Sequence, residues 1–463
     1  MGAGGTAGSP ARARYAGRVP DARRSRRIGT ALTLLAAWGC GREQAAPARP
    51  PNLVLVTVDT LRADHTQLLG YPRATTPELV RMAAEGVLFT NAIAQASWTL
   101  PSIASVHTAL YPSQHGAVGG ELALPEAAET LAERLHARGY HTVAVVSHSF
   151  VGREHGFAQG FDVFDDSQSA GHDAVTSAEL TRVALERVAG ADEPFFLWVH
   201  YFDPHFSYVA HPEYGFGAGY RGRLPPKVSA QRLKDVRELS SADLDYLQAL
   251  YDEEIAFTDE WIGRLWSGIR ERSGAERTVL AVSADHGEYF QERGRFFHGK
   301  DVYQALVHVP LLITGALEPG LRGAVVAAPV ETRDLARTLF TLAGGDPAAF
   351  GGADLLELAR GAPAPAVFSE GSHAFGEDER KVAVVLDGWK LIHDLDRDGY
   401  ELYSLRADPD ERDDLWSSVP EGAPLAELQR ALAEFARLPR LESRRIELDA
   451  GTRKDLEALG YAR

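Results

Sequence analysis

Residues 52–58 read NLVLVTV, a run of mostly apolar side chains that is followed at once by Asp59. Similar apolar runs recur at 141–146, 194–199, 278–282 and 309–314. Stretches with helical periodicity separate them, at 76–85, 127–138, 174–188 and 242–272. Apolar strands that alternate with helices predict an α/β fold with a large, mainly parallel sheet sandwiched by helices.

The pattern of the chain changes near residue 360. Short strand-like runs at 382–386, 389–392 and 400–403 precede a helical stretch at 424–438. This order predicts a small C-terminal antiparallel α+β subdomain. We therefore expect a main domain at 51–360 and a subdomain at 361–463.

The first 40 residues have the features of an export signal. Four arginines between Arg23 and Arg27 precede an apolar run that ends in small residues before Cys40, the single cysteine. This order predicts a signal peptide at 1–40 of the lipoprotein type, followed by a tether at 41–50. Arg26-Arg27 also fits a twin-arginine signal. Such a signal predicts that the protein is exported to the periplasm or cell envelope. The alternative interpretations of residues 1–40 are a short membrane anchor or a disordered leader.

The net charge limits the partners of the mature chain. The formal charge is −16, and residues 1–40 carry seven Arg and one Asp, or +6, so the remainder carries −22. With this negative charge, the chain after residue 40 repels nucleic acids and anionic membranes. We expect no nucleic-acid partner, and membrane contact only through a lipid anchor at Cys40. An anionic substrate would need a local positive site, such as a metal ion.

Acidic and imidazole side chains follow the predicted strands. In open α/β sheets, ligands bind beyond the carboxyl ends of the strands. Six such residues, from segments far apart in the sequence, are expected at this edge: Asp59, His148, Asp203, His205, Asp285 and His286.

Three of these residues form a candidate metal site, namely Asp59, Asp285 and His286. Carboxylates favour Ca²⁺, Mg²⁺ or Mn²⁺, and an imidazole also allows Zn²⁺. Such an ion could hold an anionic ester and lower the pKa of a coordinated hydroxyl. Each residue taken alone would be an ordinary cap or turn residue, so the hypothesis depends on their joint placement.

The candidate hydroxyl is that of Thr99, in Trp98-Thr99-Leu100-Pro101-Ser102. Pro101 fits the first turn of a helix that runs to about Leu110, with Thr99 just before it. A helix N-terminus stabilises negative charge on a nucleophile and on the group it attacks. Ser102 is the alternative nucleophile, and in the simplest alternative Thr99 only caps the helix.

The chain resembles the sulfatases and their phosphoester-cleaving relatives in the alkaline phosphatase superfamily. The resemblance starts with VTVDTLRADHTQLLGYPRATTPEL and continues through ASWTLPSIASVHTALYPSQHG, HYFDPHFSY, VSADHGE and HGKDVYQALVHVPLLI. It covers nearly everything from residue 51 onward. It implies hydrolysis of a sulfate or phosphate ester of a small molecule, glycan or lipid, with one divalent ion, Ca²⁺ by family and Mn²⁺ or Zn²⁺ as alternatives.

The resemblance also implies roles for single residues. Asp59, Asp285 and His286 match metal ligands, and Thr99 matches the nucleophile that also touches the metal. His205 and Lys300 match groups that hold the non-bridging oxygens or assist the leaving group, with His298 close by. A second zinc ion held by Asp203, His205 and His298 is a weaker alternative, because Lys300 would repel it.

The chain departs from the family pattern at three positions. Thr60 stands where a second acidic residue is frequent. Thr99 and Ile103 replace the Cys or Ser and the Arg of the formylglycine motif. Threonine cannot become that aldehyde, so a sulfated or phosphorylated Thr99 would need attack by water or another acceptor. This favours phosphate diesters or phosphonates over sulfate esters.

Two other functions stay open at this point. The chain could be a transferase that moves a phospho-headgroup onto a cell-envelope acceptor. It could also be a catalytically inactive sulfatase-like binding protein, which the changes at Thr99 and Ile103 would suit. Arg62 and Asp64, just after the first strand, are expected to form a structural ion pair.

Overall fold

The structure is a computed structural model that describes residues 49–169, 176–235, 239–373 and 376–448, together with Met1, Ala450 and Arg453. Apart from Met1, the predicted signal peptide and Cys40 lie outside the described residues, as does the predicted tether up to residue 48. None of the helices in the described ranges combines the length and the apolar character that a membrane span requires.

The main sheet has nine strands in the described part of the chain. They are β1 (Asn52–Val58), β2 (Val87–Ile93), β3 (His141–Val146), β4 (Val163–Asp165), β5 (Phe195–Tyr201), β6 (Thr278–Ala284), β7 (His308–Gly315), β8 (Ala324–Val326) and β9 (Val330–Glu331). Their order is β8-β2-β7-β6-β1-β5-β3-β4, and β9 also pairs with β2. Strand β7 is antiparallel to β6 and β2, and the other pairings are parallel.

Strands β1, β5 and β6 are buried along their whole length. This explains their nearly continuous apolar sequences, because a parallel sheet is covered by helices on both faces. The predicted mainly parallel α/β sheet is confirmed.

Eleven α-helices lie in the described ranges. They are α1 (Pro77–Ala83), α2 (Thr99–Thr108), α3 (Pro112–His115), α4 (Leu131–Ala137), α5 (Ser177–Ala189), α6 (Ala230–Asp235), α7 (Ser241–Ser273), α8 (Gln304–Val307), α9 (Asp334–Leu342), α10 (Leu355–Ala359) and α11 (Leu425–Phe435). The long helix α7 begins at a capping box between Ser240 and Asp243. It ends at Gly274, whose φ of 79° suits glycine.

Strand ends differ from the predictions in a way that affects the site. The strand predicted at 194–199 is β5 and runs on to Tyr201, so His200 lies inside the strand. The strand predicted at 278–282 is β6 and ends at Ala284. Helix α2 includes Thr99 as its first residue, where the sequence placed Thr99 just before the helix.

A second, antiparallel sheet lies near the C-terminus, as predicted. Its strands are β10 (Val367–His373), β11 (Gly376–Leu386), β12 (Trp389–Asp394) and β13 (Gly399–Ser404), paired in that order. Leu428, Leu432 and Phe435 of α11 pack in one cluster with side chains of β11, β12 and β13. The domain boundaries at 360 and 361 stay a prediction.

The second sheet supports the loops at the carboxyl edge of the main sheet. The Glu370 amide of β10 donates to the Gln95 carbonyl oxygen at 2.9 Å, four residues before Thr99. A Cβ on Gly371 would lie 2.4 Å from the Lys300 carbonyl oxygen, so only glycine fits this approach. The Lys381 ammonium pairs with Asp301 at 2.6 Å.

Candidate active site

The carboxyl ends of β1, β5 and β6 lie side by side at one edge of the sheet. Val58, the last residue of β1, pairs with Tyr201 of β5 and with Ala284 of β6. The Asp59 amide continues the ladder by donating to the Tyr201 carbonyl oxygen at 2.9 Å. The Asp285 amide likewise donates to the Val58 carbonyl oxygen at 3.2 Å. Backbone pairing therefore places Asp59 and Asp285 next to each other.

Three ligand atoms face one another at this edge, namely Asp59 Oδ1, Asp285 Oδ2 and His286 Nε2. His286 Nε2 lies 3.7 Å from Asp59 Oδ1 and 3.4 Å from Asp285 Oδ2. All three side chains are fully buried, and the two carboxylate oxygens have no hydrogen-bond partner among the described residues. Buried oxygens without partners are costly. A cation between these atoms would satisfy them, so the three residues fit a divalent ion.

The remaining polar atoms of Asp285 and His286 are held by neighbouring backbone. Asp285 Oδ1 accepts from the Thr60 amide at 3.1 Å and from the His286 amide at 2.7 Å. His286 Nδ1 lies 2.9 Å from the Gly287 carbonyl oxygen. Because a carbonyl only accepts, Nδ1 carries the proton and Nε2 presents its lone pair. The hydrogen bonds thus turn the ligand-competent atoms towards one another.

Electrostatics at this edge also favour a cation. Burial, and next the Glu288 carboxylate, raise the pKa of Asp59 well above its usual value. Burial and the Asp59 carboxylate raise the pKa of Asp285. Burial and the neighbouring His298 lower the pKa of His286, which keeps its imidazole neutral. Two buried carboxylates and a neutral imidazole form a site that a divalent ion would stabilise.

Gly287 allows the Asp285-His286 turn to pack tightly. A Cβ at this position would lie 2.1 Å from the Ala305 carbonyl oxygen. The Gly287 amide also donates to the Leu306 carbonyl oxygen at 2.7 Å. The glycine of Asp-His-Gly is thus explained by close packing of backbone against backbone.

The Thr99 hydroxyl lies beside these atoms. Its Oγ1 is 3.4 Å from Asp59 Oδ2 and 3.4 Å from His286 Nε2. The extended conformation of Trp98 (φ −160°, ψ 162°) lets α2 start at Thr99, and Pro101 fits because the first turn needs no amide donor there. Thr99 is fully buried at the helix N-terminus, where backbone dipoles favour negative charge on its oxygen.

The alternative nucleophile is engaged elsewhere. Ser102 Oγ donates to the Asp285 carbonyl oxygen at 2.6 Å, which ties α2 to the end of β6. Ile103 is fully buried in the main hydrophobic core. The position that holds an arginine in the formylglycine motif therefore contributes packing in this chain.

His200 is a residue at this edge that the sequence did not single out. Its Nε2 lies 3.5 Å from Asp59 Oδ2, and its Nδ1 lies 2.8 Å from Thr57 Oγ1. Thr57 Oγ1 already accepts the indole N–H of Trp198 at 3.0 Å. The Thr57 hydroxyl thus bridges the Trp198 indole and the His200 imidazole, and it orients the ring so that Nε2 faces Asp59.

His148, predicted at this edge, has a similar orientation. The Phe150 amide donates to His148 Nδ1 at 3.0 Å, which places the imidazole proton on Nε2. That nitrogen lies 3.8 Å from Asp59 Oδ2. The Nε2 atoms of two histidines therefore lie 3.5 and 3.8 Å from Asp59 Oδ2, whereas Asp59 Oδ1 faces His286 Nε2.

By distance alone, His200 is also a candidate ligand, because ligand atoms of Asp59, His200 and Asp285 lie within 4.8 Å of one another. The hydrogen bonds fix the tautomer of only one of the two histidines. His286 Nδ1 donates to the Gly287 carbonyl oxygen, so its Nε2 offers a lone pair, whereas the Thr57 hydroxyl can either donate to His200 Nδ1 or accept from it. We therefore keep His286 in the candidate ligand set and place His200 behind Asp59 Oδ2.

The two predicted substrate-binding histidines, His205 and His298, lie next to the candidate ligand His286. The His298 ring lies 4.4 Å from the His286 ring and 5.1 Å from the His205 ring. His205 Nδ1 donates to the Phe206 carbonyl oxygen at 2.8 Å. The half-buried Lys300 lies on the same loop as His298, and Gly299 in this loop bonds through its amide to the Ser97 carbonyl oxygen at 2.8 Å.

Asp203 does not join the other edge residues. Its Oδ2 accepts from the Ser177 amide at 2.8 Å, the Ser177 hydroxyl at 2.6 Å and the Thr176 amide at 2.9 Å. The carboxylate thus holds the start of α5. The second zinc site considered for Asp203, His205 and His298 is therefore not formed, because one of its ligands is committed to a helix terminus.

Arg62 and Asp64 form the predicted ion pair at 2.7 Å. The Arg62 guanidinium also pairs with Glu292 at 2.6 Å. It donates to the Glu288 carbonyl oxygen at 2.8 Å, which fixes the segment that follows the Asp285-His286 turn.

The amino-acid sequence is similar to a known protein family and to known proteins. The family model named Sulfatase matches residues 51–345. The chain is 27% identical over 348 residues to an ulvan-active sulfatase of Formosa agariphila, a match that spans 68% of this chain and 66% of that protein.

Solved structures share the fold. One was determined in complex with its substrate D-glucosamine-2-N,6-O-disulfate; its TM-score is 0.69 at 20% identity, and the match covers 84% of this chain and 98% of that one. Another is the phosphonate monoester hydrolase of Agrobacterium radiobacter, with a TM-score of 0.66 at 19% identity and coverage of 84% and 96%.

Proposed function

The chain belongs to the sulfatase family of sulfate and phosphate ester hydrolases, and we propose that it cleaves its ester by attack of the Thr99 hydroxyl. The observation that carries the proposal is the position of Thr99 Oγ1, 3.4 Å from both Asp59 Oδ2 and His286 Nε2. A nucleophile at a helix N-terminus and beside a cation site has the two features that favour an ionised hydroxyl.

Asp59, Asp285, His286 and Thr99 would hold the divalent ion. When bound, the ion supplies positive charge that lowers the pKa of the Thr99 hydroxyl and attracts an oxyanion of the ester. We keep Ca²⁺, Mn²⁺ and Zn²⁺ as candidates, because two carboxylates and one imidazole accept each of them.

The residues around the ion carry the rest of the reaction. The Thr99 hydroxyl proton passes along the existing hydrogen bond to Asp59 Oδ2, and Thr99 Oγ1 attacks sulfur or phosphorus. The bond from that atom to the leaving oxygen breaks, and the leaving oxygen takes a proton from one of the nearby histidines. His205 and Lys300 stabilise the non-bridging oxygens. Water then attacks the covalent ester on Thr99 and gives a proton back to that histidine, while the released Thr99 oxygen regains its proton from Asp59.

The chemistry of threonine favours phosphate diesters and phosphonates over sulfate esters. A threonyl ester cannot collapse to an aldehyde, so its release requires attack of water at the central atom. Ile103 supplies no positive charge in the place of the motif arginine, because its side chain is an uncharged hydrocarbon that packs in the core. The natural substrate could be a small molecule, a glycan or a lipid that carries such an ester.

A panel of substrates tests the proposal. Aryl sulfate, phosphate monoester, phosphate diester and phosphonate ester are compared with added Ca²⁺, Mn²⁺ or Zn²⁺. We expect the highest kcat/KM for the diester or phosphonate, loss of turnover in Thr99→Ala and a covalent mass adduct on quenched wild type. Equal rates for wild type and Thr99→Ala would contradict the proposal.

The same panel separates the two alternatives. A transferase would release the leaving group only when an alcohol acceptor is present. An inactive binding protein would bind one ion per chain and turn over none of the four esters.

We also propose that the protein is exported and lipid-anchored at Cys40. The support is the order of basic, apolar and small residues before that cysteine. The wild-type chain is expected in the membrane fraction of an expressing bacterium, and Cys40→Ala in the soluble periplasmic fraction. Finding both in the cytoplasm would contradict this proposal.

A further inference from the structure

Phe297 is a half-buried aromatic residue directly before His298 in the chain. It ends a short hairpin in which Tyr289 pairs with Phe297 and Phe290 pairs with Phe296. The φ of Phe297 is 70°, in the left-handed region that favours glycine. A bulky side chain is strained there, and such strain persists only where the surrounding structure imposes it, which is common at binding and catalytic sites.

Contacts on both sides of Phe297 impose this backbone conformation. On the N-terminal side, the pairing with Tyr289 belongs to the hairpin. On the C-terminal side, the Gly299 amide donates to the carbonyl oxygen of Ser97, two residues before Thr99, at 2.8 Å. The segment with the strained residue is thus held between the hairpin and the segment that carries the candidate nucleophile.

A series of ring contacts leads from the candidate ion site to Phe297. The His298 ring lies 4.4 Å from the His286 ring and 5.1 Å from the His205 ring. The Phe206 ring stacks on His205 at 4.5 Å, and the Phe297 ring lies 4.7 Å from Phe206. Phe206 is buried, with 3% of its surface exposed, whereas Phe297 keeps exposed surface. Phe297 is therefore the half-exposed end of this series.

We propose that Phe297, with Phe206 packed behind it, determines specificity by stacking on the leaving group of the ester. The proposal rests on the proposed function, in which His205 holds oxygens of the transferred group. The attacking and leaving oxygens lie roughly in line, so the leaving group extends away from Thr99. It then passes the rings that continue from His205, and the exposed surface of Phe297 contacts it.

The leaving group that fits this surface is a ring with an apolar face. Both an aryl group and the C–H face of a sugar ring have this chemistry. A phenylalanine ring binds such a face by stacking and by removing apolar surface from water. A charged group at the same place would lose its water and gain no hydrogen bond from the two phenylalanine side chains.

The test uses three methylphosphonate monoesters that differ in the leaving group: phenyl, glucose-6-yl and n-hexyl. Phe297→Leu keeps an apolar side chain and removes the flat ring. We expect kcat/KM to fall about five- to tenfold for the phenyl ester, the glucosyl ester or both, and less than about twofold for the hexyl ester. The loss should lie in KM, because stacking binds substrate and transition state alike. The ester that loses most distinguishes an aryl from a sugar leaving group.

Two further variants separate the ring from the hairpin. Phe297→Tyr keeps the flat ring and should retain the wild-type preference among the three esters. Phe296→Leu is the matched control, because Phe296 is half-buried in the same strand and alternate residues of a strand face opposite sides. It should change all three esters equally. Calorimetric Kd values of phenylphosphonate and n-hexylphosphonate give the same comparison without turnover.

Three results would overturn the inference. Equal losses for all three esters in Phe297→Leu would show that Phe297 only supports the hairpin. The same selective loss in Phe296→Leu would assign the effect to the hairpin as a whole. A changed preference in Phe297→Tyr would show that the flat ring is not what the leaving group contacts. Failure of the proposed function is distinguishable, because Thr99→Ala would then hydrolyse the esters as fast as wild type.

Discussion

Thr99 Oγ1 lies 3.4 Å from Nε2 of His286, although the two residues are 187 positions apart in the sequence. The contact arises because α2 starts at the edge where β6 ends. Ser102 of the same helix fixes this arrangement by donating to the Asp285 carbonyl oxygen at 2.6 Å. One helical turn thus supplies the proposed nucleophile and a structural hydroxyl.

The two hydroxyls are predicted to respond differently to substitution by alanine. Thr99→Ala should abolish turnover and change the free energy of unfolding little, because its hydrogen bonds are long. Ser102→Ala should lower the free energy of unfolding by about 1 kcal/mol and keep most of the turnover. Denaturant unfolding and steady-state kinetics check both. Loss of turnover in Ser102→Ala with full activity in Thr99→Ala would reverse the assignment of the nucleophile.

Removal of one carboxylate should separate ion binding from folding. Asp285→Asn removes one of two buried like charges and keeps an oxygen that accepts from the Thr60 and His286 amides. We expect the ion-free variant to melt at or above the temperature of the ion-free wild type. Addition of Ca²⁺, Mn²⁺ or Zn²⁺ should raise the Tm of wild type only. An equal rise in the variant would exclude Asp285 from the ligand set.

The contact between Thr57 and His200, which lies beside Asp59, should strengthen binding of the ion. Thr57→Val removes the hydroxyl that orients His200 and preserves the shape of the side chain. Because partners behind a metal ligand typically contribute 10–100-fold in affinity, we expect about tenfold weaker binding by calorimetry. Thr278→Val, at the opposite end of the neighbouring strand β6, is the matched control. If the two variants bind the ion equally, the Thr57–His200 contact does not support Asp59.

Much of the site was predictable because parallel strands align their carboxyl ends. Polar residues directly after such strands must lie at one edge, which located Asp59, Asp285 and His286. The run 52–58 coincides with β1 because its sequence suits a strand buried on both faces.

The rest depends on side-chain hydrogen bonds that the linear pattern does not encode. His200 lies inside β5, and a buried histidine in a strand resembles an ordinary core residue until Thr57 and Asp59 are seen beside it. Asp203 follows the same strand as His205, yet its carboxylate turns to the start of α5. The sequence predicts the edge of the sheet at which these residues lie. It does not predict which neighbouring group each side chain contacts.

Glu370 is predicted to make stability depend on pH near neutrality. Burial raises the pKa of this carboxyl group from 4.5 to about 7, while its hydrogen bond from the Ser113 amide, at 3.0 Å, opposes the rise. Between pH 4.5 and 7 the folded state keeps a proton that the unfolded state has lost. The contribution of Glu370 to stability therefore falls as pH rises through this window, by up to about 3 kcal/mol.

Glu370→Gln removes this titration and keeps an oxygen that accepts from Ser113. The difference in free energy of unfolding between variant and wild type should be smallest near pH 4.5 and grow in favour of the variant up to pH 7. Denaturant titrations of both proteins across this range measure it, and the other titrating groups cancel in the difference. A difference that stays constant with pH would mean that Glu370 keeps an ordinary pKa because water reaches it.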